Sequence, residues 1–110
     1  MSFAIRKQDD VCVVEVEGQL IVGNRQELKQ LVLDELERGE RRILIDFRHT
    51  GYIDSSGLGV LVSLSKKIRE VGGALRLANL NEDLRTLFEL TKLDTLFQIT
   101  SDRDEALRSF

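Results

Sequence analysis

The residue types with the most chemistry to offer lie in one run, Asp54-Ser55-Ser56-Gly57-Leu58-Gly59. It supplies two adjacent hydroxyls, a carboxylate and two glycines. An apolar stretch, Ile43-Leu44-Ile45-Asp46-Phe47, precedes it, and a helical pattern, Leu58, Leu61, Val62, Leu64 and Ile68, begins inside it. Parallel α/β folds place their functional groups at such strand-to-helix junctions, outside the carboxyl ends of the strands.

Several chemistries are excluded by what surrounds the run. A serine hydrolase needs a base beside its serine and an acid to orient that base. His49 is the sole histidine, and nothing in the sequence folds it back onto Ser55 or Ser56. The nucleophile-elbow pattern Gly-x-Ser-x-Gly fails, because Ile53 stands two before Ser55 and Asp54 two before Ser56. No Gly-Lys-Ser/Thr phosphate loop occurs, and Gly57-Leu58-Gly59 lacks the third glycine of a dinucleotide fingerprint. His49 has no neighbouring cysteine or second histidine with which to hold a metal. Neither a catalytic residue nor a cofactor or metal is expected. The remaining carboxylates read as turns and solvated helix faces.

Recognition fits better than catalysis. One side chain among Asp54, Ser55 and Ser56 suffices to cap the helix, which leaves a hydroxyl exposed at its start. A phosphate on Ser55 would bring about −1.5 to −2 charge to the positive end of the helix, where the fold tolerates it. An apolar or acidic partner packed on Gly57, Leu58 and Val22 would not tolerate it. Gly57 and Gly59 each disfavour a helix by up to about 1 kcal/mol relative to alanine. Tight helix–sheet packing accounts for such a cost, and so does a bare surface on which another backbone lies.

The composition sets the frame. The 110 residues read as one domain, 1–110, long enough to build a core without staples. With 42% hydrophobic and 32% charged residues the chain is of the globular class. A net charge of −3 gives no basic surface for nucleic acid or an anionic membrane. The one cysteine, Cys12, excludes an internal disulfide and reads as a buried hydrophobe. The start, Met1-Ser2-Phe3-Ala4-Ile5-Arg6-Lys7, lacks a signal peptide's apolar region, and no run approaches a spanning helix; a cytoplasmic protein is expected, with no membrane insertion. Without a long exposed apolar stripe, the expectation is a monomer or weak dimer.

The elements follow in order. A short edge strand at 3–7 and a strand at 11–17 form an antiparallel pair across a turn at 8–10, the second strand keeping one solvated face. Residues 18–23 either continue that strand or bend away. Asn24 is the expected N-cap of the first helix, with Glu27 as capping-box partner, and Gly39 ends it. Ile43–Phe47 is a central strand and 48–51 a loop. The second helix ends at Val71-Gly72-Gly73. A strand at 74–78 leads to a helix capped by Asn79 or Asn81, then a short strand at 96–99. A last helix spans 103–110, capped by Ser101 or Asp102, with Ala106, Leu107 and Phe110 facing inward. The order β-β-α-β-α-β-α-β-α predicts an α/β fold: four to five strands, mostly parallel in the later ones, with an antiparallel N-terminal pair and about four helices.

At these residues the sequence resembles the anti-sigma-factor antagonist family, the STAS domain. Ile53-Asp54-Ser55-Ser56-Gly57-Leu58-Gly59-Val60 resembles its phosphorylation motif, Gly72-Gly73 its glycine pair after the second helix, and Gly18-Gln19-Leu20 the start of its first loop. The resemblance implies a STAS-type sheet and phosphorylation at Ser55. It implies an anti-sigma factor with serine-kinase activity as partner, bound in the dephosphorylated state so that a sigma factor is freed, and a PP2C-type phosphatase that reverses the switch. ATP and magnesium belong to those partners. The contact surface would comprise Gln19, Ile21, Val22, Gly23, Asp54, Ser56, Gly57, Leu58 and Gly59. One departure stands out: the family loop carries an aspartate where this chain has Ile21. A non-switching subunit of a lipid-transport ABC complex, or a stress-signalling scaffold, is the alternative the fold allows.

Overall fold

The computed structural model describes residues 3–110; Met1 and Ser2, part of the N-terminus read above, lie outside the described residues. Strands β1 (Phe3–Gln8) and β2 (Val11–Leu20) pair antiparallel, Phe3 opposite Val16 and Gln8 opposite Val11. Asp9 and Asp10 join them with φ of 53° and 63°, the twist a two-residue hairpin requires. Helix α1 (Arg25–Glu37), β3 (Arg42–Ile53), α2 (Ser55–Glu70), β4 (Ala74–Ala78), α3 (Glu82–Leu90), β5 (Gln98–Thr100) and α4 (Arg103–Arg108) follow. The five strands lie side by side in sequence order, and every pair after the first is parallel.

Period-two alternation divides the core between the two faces of the sheet. Cys12, Val14, Val16, Ile43, Ile45, Phe47 and Leu77 point to one face. There they meet Leu28, Val32 and Leu36 of α1, Leu61, Leu64 and Ile68 of α2, and Leu84 and Phe88 of α3. Val11, Val13, Leu44 and Ala78 point to the other, where α4 covers them with Ala106, flanked by Leu107 and Phe110. β2 is therefore buried on both faces along 11–14, where the expected solvated face is absent; Glu15 is half-buried, and Glu17, Gly18 and Gln19 reach water towards the strand's end. Burial raises the Cys12 thiol to about 12, helped by the nearby Glu35 carboxylate, so it behaves as a hydrophobe.

The largest departure from the sequence reading is β3. The expected loop at 48–51 is strand, and β3 runs twelve residues to Ile53 beside an extended β2. Two irregularities hide it. From Glu15 to Glu17 the partner residue moves from Asp46 to His49, and from Gly18 to Gln19 it moves from Thr50 to Tyr52, so β3 twice carries one extra residue. Such bulges break the alternation that marks a strand and re-aim its end. The Thr50 hydroxyl, buried, donates to the Val16 carbonyl at 2.6 Å and fastens the strand between them.

Other corrections are local. Asn24 sits at the N-cap position of α1, yet its side chain makes no capping bond and no capping box with Glu27 forms. Of the caps the sequence left open, Asn81 takes α3 and Asp102 takes α4, as expected of one of each pair. The strand expected at 96–99 starts at Gln98, after a single 3-10 turn at Leu93–Thr95.

The carboxylates are not all solvated. Asp46, 2% exposed, accepts from the Arg48 backbone N–H, from Asn79 Nδ2 and from Arg103 Nε, each at 2.9 Å. Arg103 also pairs with Glu15, fixing the start of α4 to β2 and β3. At the other end of α4, Arg76 donates to Ser109 and lies 4.8 Å from the Phe110 ring centre.

Two glycines mark close approaches. A Cβ on Gly73 would stand 2.6 Å from the Arg41 carbonyl oxygen, and one on Gly57 2.5 Å from that of Leu20. Gly57→Ala and Gly73→Ala are each expected to destabilise the protein by about 1–3 kcal/mol in urea unfolding, the usual cost of overpacking. Arg103→Met leaves Asp46 buried without its cation and is expected to cost about 1–3 kcal/mol in the same measurement.

Candidate functional site

The end of β2 and the start of α2 meet at Leu20. Its carbonyl accepts the Asp54 backbone N–H at 3.1 Å, and Gly57 lets the first turn of α2 settle against it. Asp54 then gathers the neighbourhood through one carboxylate. Oδ1 accepts from Ser56 Oγ at 2.7 Å and from the Gly57 N–H at 2.8 Å; Oδ2 accepts from the Val22 N–H at 3.1 Å. The Ser56 hydroxyl and the Gly57 N–H hold the Asp54 carboxyl below its ordinary range, and the Val22 N–H adds to this. A carboxyl depressed in the folded state stabilises the fold above its unfolded pKa and loses that contribution as pH falls through the folded value. The cap is thus complete at neutral pH and disappears only in acid.

That arrangement separates the two serines. Ser56 is half-buried and its hydroxyl is committed to Asp54. Ser55, the first residue of α2, is exposed, and its side chain makes no hydrogen bond among the described residues. Backbone N–H groups at a helix start and the positive helix end accommodate an anion on such a hydroxyl.

The neighbouring loop is held from its own side. Asn24 Oδ1 accepts the Ile21 N–H at 2.9 Å, and its Nδ2 donates to the Gln19 carbonyl at 2.8 Å. The side chain expected to cap α1 closes the loop instead. Val22 stands at the tip, 65% exposed, with Gly23 exposed and Gln19 exposed on the strand end. Ile21, expected with Val22 in the contact surface, is half-buried, and of the two Val22 is the exposed one.

The structure brings most of the expected residues together, but not all to the surface. Gln19, Val22, Gly23, Ser55 and Gly59 are exposed, and Asp54 and Ser56 are half-buried. Gly57 and Leu58 are buried and offer no contact face; Gly57 packs against Leu20 of β2 and Ile53 of β3, and Leu58 joins the apolar core. One surface residue was missed. Tyr52, 58% exposed, borders with Gly51 and Ser55 an open cleft of about 320 Å³ that α3 closes with Asp83, Leu84 and Leu87. Lone aromatics carry little signal in a sequence, and the approach of α3 to this junction is a tertiary fact. His49 lines a different, polar cleft with Glu15, Asp46 and Arg103. No helix among the described residues is long and apolar enough to cross a membrane.

Comparison with known proteins agrees with this geometry. The anti-sigma-B factor antagonist of Bacillus subtilis is 30% identical over 97 residues, covering 88% of each chain. The solved structure of TM1081 from Thermotoga maritima superposes with a TM-score of 0.91 at 31% identity, over 97% of this chain and 92% of that one. The anti-sigma factor antagonist SpoIIAA, at 18% identity, shares the fold in both states in which it has been solved. Its unphosphorylated form superposes with a TM-score of 0.74 over 94% of this chain and 91% of that one. Its phosphorylated form, from Bacillus, gives 0.75 over 98% and 99%. The STAS domain family matches residues 2–106, and with the five-stranded sheet and its antiparallel first pair in place, the chain belongs to the STAS domain family.

Proposed function

We propose that residues 1–110 act as one cytoplasmic STAS unit that antagonises an anti-sigma factor, and that Ser55 is its switch. The observation that carries the reading is the division of labour at the start of α2. Asp54 caps the helix and takes up the Ser56 hydroxyl, which leaves Ser55 as an exposed hydroxyl with no structural task. The name of the 30%-identical Bacillus subtilis relative supports the choice of partner.

In this reading the unphosphorylated surface, Gln19, Val22, Gly23, Ser55 and Gly59, rests on the anti-sigma factor and removes it from a sigma factor. Asp54 and Ser56 hold that surface in place from beneath. The anti-sigma factor is also the kinase. Its ATP gives the γ-phosphoryl group to Ser55 Oγ; the O–H bond breaks, the proton leaves to the kinase's base, and ADP departs. The new charge then sits at a partner contact centred on an apolar side chain, Val22, and beside the Asp54 carboxylate. The cost of desolvating the phosphate against that apolar contact releases the partner without refolding this chain. A PP2C-type phosphatase hydrolyses the phosphoserine and resets the surface. The chain itself is a binding module and not an enzyme. Val22 at the loop tip makes that contact apolar, and half-buried Ile21 puts no carboxylate beside Ser55 where the family has its aspartate.

Incubation with the cognate anti-sigma-factor kinase, ATP and magnesium is expected to place one phosphate on Ser55 and none on Ser56, read by mass spectrometry of the peptides. Absence of phosphate with a kinase of verified activity contradicts the reading. Ser55→Asp is expected to weaken the complex by roughly tenfold or more in a titration, because a charge is introduced at its centre, whereas Ser55→Ala binds as the native chain does.

A further inference from the structure

Gly59 is the helical glycine that the fold does not explain. It lies in the second turn of α2, exposed, and a Cβ built on it meets nothing within 4 Å. Gly57, two residues earlier, is the opposite case, since a Cβ there would strike the Leu20 carbonyl. Alanine at 59 therefore fits the backbone, and glycine at an exposed helical site lowers stability through its freedom in the unfolded chain. The chain carries that cost with no internal return.

Position matters here. Residues four apart on a helix are surface neighbours, with Cβ atoms about 5–6 Å apart, so any side chain at 59 would stand beside the Ser55 hydroxyl. Val62, 37% exposed, continues the same strip one turn further on. An independent feature points to a protein as what covers it: large apolar side chains, Val22 at 65% and Tyr52 at 58%, are exposed on the segments that adjoin Ser55.

We propose that Gly59 is the position at which the kinase approaches the Ser55 surface most closely. Its missing side chain lets the main chain of the kinase lie against α2 one turn beyond Ser55, and so sets how deeply the hydroxyl enters the kinase's active site. This rests on the reading of Ser55 as the modified residue. The occupant is the polypeptide of the anti-sigma-factor kinase, and the position is held for that contact at the expense of helix stability.

The test uses Gly59→Ala and Gly59→Leu, both good helix formers, with Lys66→Ala as a control further along the exposed side of α2. Each purified anti-sigma-factor kinase of the organism is the probe, with ATP and magnesium. Thermal unfolding and the kcat/KM for phosphorylation of Ser55 are measured on the full chain. Gly59→Ala is expected to raise the Tm by about 2–4 °C while kcat/KM falls at least roughly tenfold, and Gly59→Leu to lose more. Lys66→Ala is expected to change neither by a comparable amount. Native kcat/KM in both Gly59 variants overturns the inference and leaves Ser55 as the switch. A lowered Tm in Gly59→Ala also overturns it, because the glycine then serves the fold. Wild-type chain that no kinase phosphorylates at Ser55 overturns the inference together with the reading beneath it.

Discussion

The site depends on one carboxylate. Asp54 accepts from Val22, Ser56 and Gly57, and so ties the β2–α1 loop, a hydroxyl and the first turn of α2 to one another. Remove that anion and three backbone or side-chain donors lose their acceptor at the point where the loop meets the helix. Its low pKa is the thermodynamic sign of the same contacts, since each favours the charged form. What remains over is the Ser55 hydroxyl, which has no hydrogen-bond partner among the described residues, while Asp54 takes up its neighbours Ser56 and Gly57.

The rest of the fold delivers Asp54 to its place. β3 must travel past the end of the central sheet to do so, and its two bulges, with Thr50 bonded to Val16 between them, carry it there beside β2. The close contact of Gly57 with Leu20 then sets α2 against the end of β2. On the opposite face Asp46 and Arg103 lock α4 over Val11, Val13 and Leu44, which completes the burial of β2 and β3 on both sides. A rigid sheet beneath a short, hydrogen-bonded loop is a surface already formed before a partner arrives, and preorganisation of this kind lowers the entropic cost of association.

The order of elements was legible because apolar periodicity and glycine stops punctuate it, as at Gly39 and Val71-Gly72-Gly73. The long β3 was not, because a bulge shifts alternation by one residue and makes 48–51 look like a loop. Asn24 misled for a related reason: its side chain suits a cap, but the backbone of Ile21 and Gln19 competes for it and wins. The Asp46–Arg103 pair joins residues far apart in the chain, and no local pattern announces it. At the site, the run Asp54-Ser55-Ser56-Gly57 revealed the junction, but not which glycine was packing and which was open. Gly57 and Gly59 are equivalent in the sequence and opposite in their surroundings.

In the proposed switch, phosphate acts by local charge on a surface that is already in place. Amide chemical shifts of the isotope-labelled chain, recorded before and after stoichiometric phosphorylation of Ser55, test it most directly. Changes are expected only at residues near 19–24 and 52–60, with β1, β4 and α4 unmoved. Shifts spread through those distant elements would mean that the switch works by rearranging the fold, and would contradict it.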